Sequence, residues 1–220
     1  MLNKKLTYLQ IAFNRSLLEA QKMIVILPVS GRILIEAGTS LIKQYGVQSI
    51  IALNQFWTIR LGKPGYIVAD MKCMDRGARE VRIAKSAGAS AITCLAIAPI
   101  ETINYFLEHC KKEKIDSMLD MMNIQFPFEI LQQLRVKPDI IVLHRGLEEY
   151  QGSKKSLPID QIAQIKRVYS PLISVAGGED FKEVRHSVFN GADIAVVWQK
   201  FAQKPLATAE TAFEFLKETK

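Results

Sequence analysis

Tyr66-Ile67-Val68-Ala69-Asp70-Met71-Lys72-Cys73-Met74-Asp75-Arg76-Gly77 passes within a dozen residues from an apolar run to a charged cluster and then to a turn. A short apolar run rich in β-branched residues suits a strand covered on both faces, as in a parallel sheet. We place that strand at Tyr66–Met71. Its end carries a carboxylate and an ammonium, and the chain turns towards a helix through Gly77. Residues 70 and 72 lie two apart, so on an extended strand their side chains point to one side.

The same unit recurs along the chain. Further strands are expected at Thr7–Phe13, Arg32–Ala37, Ala91–Leu95, Ser117–Met121, Asp139–Leu143, Leu172–Val175 and Asp193–Val197. Helical patterns separate them. Pro99–Lys112 opens on a proline and places Ile103, Phe106 and Leu107 on one face, and Leu157–Tyr169 places Pro158 in its first turn. Glu179–Asn190 stops before Gly191, and Ala207–Lys217 forms a last amphipathic helix. Met23–Leu27 reads equally as helix end or strand, and Leu41–Arg60 as one broken helix or two with the break at Gly46. Eight βα units in 220 residues predict an α/β chain folded as a single (β/α)8 TIM barrel over residues 1–220. A doubly wound open sheet is the alternative, but it would need fewer strands, and no GxGxxG or P-loop is present.

Composition narrows the function. A chain that is 49% hydrophobic and 23% charged buries a sizeable core. The net charge of +7 suits an anionic small substrate. The basic residues are scattered and no nucleic-acid motif appears, so no nucleic-acid partner is expected. Cys73, Cys94 and Cys110, an odd number without framework spacing, point to reduced thiols and a cytoplasmic setting. The N-terminal apolar stretch is soon interrupted by Asn14 and Arg15, unlike a signal peptide. The longest uncharged stretch, Gln44–Ile59, is too short and too polar to span a membrane, so no membrane partner is expected either.

In a barrel, chemistry sits where strands end and βα loops begin. Those places carry Asn14, Glu36, Asp70 with Lys72, Asp120, and His144 with Arg145; the seventh offers Ala176-Gly177-Gly178. Any one carboxylate reads as readily as a helix cap. Repetition at strand after strand is hard to explain by packing, because burying a carboxylate is costly unless it is paired or bound to a cation. Asp75, three residues beyond Lys72, is either a cap or part of a charged array that holds a metal and stabilises an oxyanion.

The segment Val68-Ala-Asp-Met-Lys-Cys-Met-Asp-Arg-Gly-Ala resembles the D-x-K-x-x-D motif of the orotidine 5′-phosphate decarboxylase suprafamily, most closely its 3-hexulose-6-phosphate synthase and 3-keto-L-gulonate-6-phosphate decarboxylase branch. Ile35-Glu-Ala-Gly-Thr-Ser-Leu resembles that branch's second-strand motif. Val142-Leu-His-Arg-Gly resembles its sixth-strand histidine motif with Gln151-Gly152 its following loop, and Val175-Ala-Gly-Gly its phosphate-contacting turn. The resemblance implies that Glu36 and Asp70 hold Mg2+, which binds substrate oxygens and stabilises an enediolate beside Lys72. His144 would transfer protons, and Asp120 matches an acidic fifth-strand position. Asn14, Asp120 and Arg145 would face the substrate, with Gly177 and Gly178 on its phosphate. Asp75 would reach the neighbouring subunit's site in a homodimer with shared active sites.

The chain also departs from the pattern. Asn14 stands where the first-strand motif has Asp, and an amide does not accept a proton at neutral pH. Trp198-Gln199 stand where a Gly-Arg pair grips phosphate, leaving Gln199 as a neutral substitute, with Lys200 or Lys204 available to compensate. Leu147 replaces the decarboxylase branch's arginine, which favours aldehyde-lyase chemistry. The expected activity is that of a Mg2+-dependent carbon–carbon lyase on a sugar phosphate, of the hexulose-phosphate synthase type. A diverged lyase with another substrate or with decarboxylase activity is one alternative, and a non-catalytic ligand-binding homologue is another.

Overall fold

In the computed structural model of the chain, which describes residues 1–153, 156–178, 181–197 and 205–219, eight strands close into a barrel in chain order. They are β1 (Tyr8–Phe13), β2 (Ile33–Ala37), β3 (Ile67–Cys73), β4 (Ala91–Leu95), β5 (Asp116–Asp120), β6 (Ile140–His144), β7 (Leu172–Gly178) and β8 (Ile194–Val197). All neighbours are parallel, and β8 pairs back to β1 through Gln10↔Val196. The (β/α)8 expectation holds, and the open-sheet alternative does not. The described helices are α1 (Leu17–Ile26), α2 (Thr39–Tyr45), α3 (Gln48–Leu61), α4 (Gly77–Ser86), α5 (Ile100–Glu113), α6 (Pro127–Leu131), α7 (Leu147–Ser153), α8 (Gln161–Val168), α9 (Phe181–Phe189) and α10 (Pro205–Glu218).

The sheet divides the apolar core in two. Leu9, Ile11, Ile33, Ile35, Ile92 and their kind face outward under the helices. Leu34, Val68, Met118, Ile140, Val142 and Ile194 fill the barrel. This two-sided burial is why the strands read as continuous apolar runs. Registers stack the inward side chains in layers of four from alternate strands, as barrels of this size require. Gln10, Val68, Met118 and Ser174 form one layer, and Glu36, Thr93, Val142 and Val196 the next towards the C-terminal mouth.

Two readings left open by the sequence are decided, and other local expectations are corrected. Met23–Leu27 is the end of α1, whose first turn is capped by Ser16 Oγ accepting the Glu19 N–H at 3.2 Å. Residues 41–60 form two helices, parted at Gly46 with φ 63°. The helix expected from Leu157 begins at Gln161, so Pro158 precedes it, and Gln151-Gly152 lie in α7 instead of a loop. Residues 70–72 do not continue a regular strand. Between Ala69↔Ile92 and Cys73↔Cys94, β3 spends four residues where β4 spends two. A smaller irregularity separates Val175 and Gly178 of β7 from their β8 partners. Both lie at the C-terminal end of the barrel, where a bulge re-aims side chains. Among the described residues no helix is long and apolar enough to cross a membrane.

Candidate active site

The bulge in β3 sets the site. Lys72 sits at φ 46°, a left-handed conformation that costs a residue with a Cβ about 1–2 kcal/mol. Its backbone N–H, displaced from the ladder, donates to Thr93 Oγ1 at 2.9 Å. The side chain turns inward, and Nζ lies 3.2 Å from Asp70 Oδ2 and 3.1 Å from Asp120 Oδ2. The expected pairing of Asp70 and Lys72 is therefore present, made by a kink and not by the two-residue alternation of a strand.

Asp70 is gripped from both sides. Thr39 Oγ1 donates to Oδ2 at 2.7 Å and Thr93 Oγ1 to Oδ1 at 2.8 Å. Glu36, at the end of β2, is also buried and accepts from Gln10 Nε2 at 2.5 Å. Burial, then the negative charge of Asp70, push the Glu36 carboxyl up to about 7, against the Gln10 hydrogen bond and the Lys72 and His144 charges. Two buried carboxylates repelling one another fit a hard divalent cation, since Mg2+ binds through one or two carboxylates and keeps several waters. Among the described residues no group of three or more His, Cys, Asp or Glu is arranged to hold a metal. Glu36 and Asp70 offer hard carboxylate oxygens, the donor type that Mg2+ takes.

Asp120 joins Lys72 to His144. Its Oδ2 contacts Lys72 Nζ and also His144 Nδ1, the latter at 2.8 Å, while Oδ1 accepts the Met122 N–H at 2.9 Å. Burial disfavours the Asp120 anion, but the hydrogen bond and charge of His144, then those of Lys72, outweigh it and hold the carboxyl below its usual range. For His144, burial disfavours the imidazolium, yet the hydrogen bond and charge of Asp120 prevail and raise it. Lys72 is held firmly charged, because the pull of Asp70 and Asp120 overcomes its burial.

Asn14, Glu36, Asp70, Lys72, Asp120, His144, Arg145 and Gly177 all border one cavity of about 450 Å³ at the barrel mouth. The Asn14 carboxamide packs flush on Gly38, where a Cβ would collide with it. Arg145 borders the cavity as well. Its guanidinium is buried and bonds Glu183 at 3.1 Å and the Gly177 carbonyl oxygen, so it shapes the loop. Gly177, at φ 101°, leaves no room for a Cβ against the Arg145 carbonyl. Gly178 ends β7 beside it. Asp75 is not brought to this cavity: it is exposed, accepts the Arg76 N–H at 2.7 Å, and borders a separate groove with Arg79, Arg82 and Tyr105. Gln199, with Trp198, Lys200 and Lys204, lies outside the described residues.

Three residues that bond the carboxylates of the site were not singled out from the sequence: Gln10, Thr39 and Thr93. Gln10 and Thr93 are polar residues at inward positions of apolar strands, a signal the chain carries. The three cysteines are free and buried, as expected of reduced thiols.

Comparison with known proteins agrees with this fold. The model of the orotidine 5′-phosphate decarboxylase / HUMPS family matches residues 7–204. The bifunctional enzyme Fae/Hps of Methanosarcina mazei is 39% identical over 192 residues, covering 86% of this chain and 47% of that protein. The chain thus spans about half the length of the curated relatives it matches. A crystal structure of 3-hexulose-6-phosphate synthase is 26% identical, with a TM-score of 0.78 over 94% of this chain and 97% of that one. The 3-hexulose-6-phosphate synthase of Salmonella typhimurium, 23% identical, shares the fold with a TM-score of 0.80 over 94% of this chain and 99% of that one. With the D-x-K kink and the histidine paired to an acid across one mouth, the chain belongs to the orotidine 5′-phosphate decarboxylase / HUMPS family, in its 3-hexulose-6-phosphate synthase and 3-keto-L-gulonate-6-phosphate decarboxylase branch.

Proposed function

We propose that this chain is a Mg2+-dependent carbon–carbon lyase of the 3-hexulose-6-phosphate synthase type, joining formaldehyde to a ketopentose phosphate through an enediolate. The observation that carries the proposal is the continuous contact from Asp70 through Lys72 and Asp120 to His144 around a single cavity. Asp120 accepts from Nδ1–H of His144, which leaves Nε2 as the basic nitrogen. That nitrogen removes the proton from C1 of ribulose 5-phosphate, and the electron pair moves into the enediolate. C1 then attacks the formaldehyde carbon, and the resulting alkoxide takes up the proton that His144 gives back. Lys72, firmly cationic, stabilises the negative charge as it develops. Mg2+, held by Glu36 and Asp70, would supply further positive charge to the substrate oxygens.

Asn14, on the cavity wall, would hydrogen-bond a substrate hydroxyl, and the backbone N–H groups of Gly177, on the same wall, and of Gly178 beside it would serve the phosphate. Arg145 serves that end indirectly by fixing the Gly177 carbonyl. The position of Asp75 outside its own cavity supports a homodimer in which it completes the neighbour's site. Turnover of ribulose 5-phosphate with formaldehyde is the direct test. Asp70→Asn, which removes one charge with little change of shape, should lower kcat by about 10²–10³-fold. Full wild-type activity in excess chelator would rule out the metal, and absence of turnover on any ketose phosphate would leave a ligand-binding homologue.

A further inference from the structure

We infer that Thr93 is a positioning residue, whose single hydroxyl locks Asp70 and Lys72 into their working arrangement. The inference rests on the reading of Asp70 and Lys72 given under the proposed function. Thr93 points into the barrel from β4, in the same layer as Glu36, and is buried. Its Oγ1 accepts the Lys72 N–H at 2.9 Å and donates its own hydrogen to Asp70 Oδ1 at 2.8 Å.

These two bonds depend on one another. The bulge removes the Lys72 N–H from the β3–β4 ladder, and a buried N–H without an acceptor is strongly disfavoured. Thr93 supplies that acceptor. A hydroxyl carries one hydrogen, and with a lone pair committed to Lys72 its hydrogen fixes the orientation of the Asp70 carboxylate. One side chain thereby ties the left-handed backbone of Lys72 to the carboxylate its ammonium contacts. Thr39 grips Asp70 from the other side, but its bonds go to the Asp70 carboxylate and carbonyl, with none to Lys72. Thr93 is the residue that joins the two halves of the D-x-K motif.

Thr93→Val keeps the shape and removes both bonds, whereas Thr93→Ser keeps the hydroxyl. In the valine variant we expect kcat to fall about 100-fold with KM for ribulose 5-phosphate within about threefold. Affinity for Mn2+, read by electron paramagnetic resonance without substrate, should weaken about tenfold, as when an outer partner of a metal ligand is lost. The serine variant should stay within about fivefold of wild type in both. Amide hydrogen exchange at Lys72 should be slow in the wild type and serine proteins and fast in the valine one. A role in folding alone would lower the melting temperature of the valine variant while leaving Mn2+ affinity and the Lys72 amide unchanged. That result, or a serine variant as impaired as the valine one, overturns the inference. If the wild-type protein turns over no ketose phosphate, the functional reading fails, while Mn2+ affinity and Lys72 exchange still decide the role of Thr93. Should the valine variant not fold, fast exchange of Lys72 in the wild type or serine protein overturns the inference.

Discussion

Asp120 concentrates the electrostatics of the site at one carboxylate, because it is buried with both His144 and Lys72 on Oδ2. His144 is raised in the folded protein, so its contribution to stability is complete below about pH 6.5 and is lost as pH rises through the raised value. Asp120 is lowered, so its contribution is complete above about pH 4 and is lost as pH falls through the depressed value. Both act fully between those limits. Asp120→Asn should therefore cost most stability in that window, on the order of 3–5 kcal/mol, as for a broken buried pair. Towards pH 8 the gap should narrow to the part owed to Lys72. Urea denaturation of both proteins at pH 5.5 and pH 8 measures this, and a gap that widens with pH would contradict it.

At the scale of elements, close approach and kinks at the C-terminal ends of strands place the side chains. Helix α4 can leave the bulged β3 and lie against α5 because Gly77 has no Cβ. One built there would meet Phe106 Cβ at 2.8 Å and the Phe106 backbone at 3.0 Å. Gly77→Ala should destabilise by about 1–3 kcal/mol, the usual cost of overpacking. For a chain of this size that is a fall in Tm of roughly 2–12 °C. The protein that remains folded should bind Mn2+ just as the wild type does, since the contact lies behind the site. An unchanged Tm would mean that α4 and α5 separate freely.

For the whole molecule, the question is whether Asp75 serves a site of its own chain or, in the proposed homodimer, of a neighbour. Asp75 lies in a groove apart from the cavity bordered by Lys72 of the same chain. If Asp75 completes a partner's site, mixing inactive Lys72→Ala and Asp75→Ala proteins should restore activity, because one site of each mixed dimer then has both wild-type groups. Heterodimers that form and remain inactive would place Asp75 in the service of its own chain. Substrate preference is a second property at this scale. A guanidinium grips phosphate with a bidentate fork that Gln199 lacks. Trp198→Gly with Gln199→Arg should raise ribulose 5-phosphate turnover about tenfold, a step of about 1.4 kcal/mol. Absence of any gain in an enzyme that is already fast would show the departure to be harmless.

The eight βα units were legible in the chain because burial on both faces and helical periodicity are local patterns, recorded within ten residues or so. So were Glu36, Asp70, Lys72, Asp120 and His144, since charge at the end of an apolar strand stands out wherever the strand lies. Arg145 was legible as a charge at a strand end, but not as a guanidinium turned into the wall, because Glu183 is 38 residues away. Gln10 and Thr93 were overlooked for the same reason: an inward polar residue has meaning only beside the carboxylate it bonds. The sequence by itself determined the number of units, their order and the chemistry loaded at their ends. The tertiary structure alone decided the kink at Lys72 and the clamp on Asp70, because register and barrel closure depend on pairings between strands far apart in the chain.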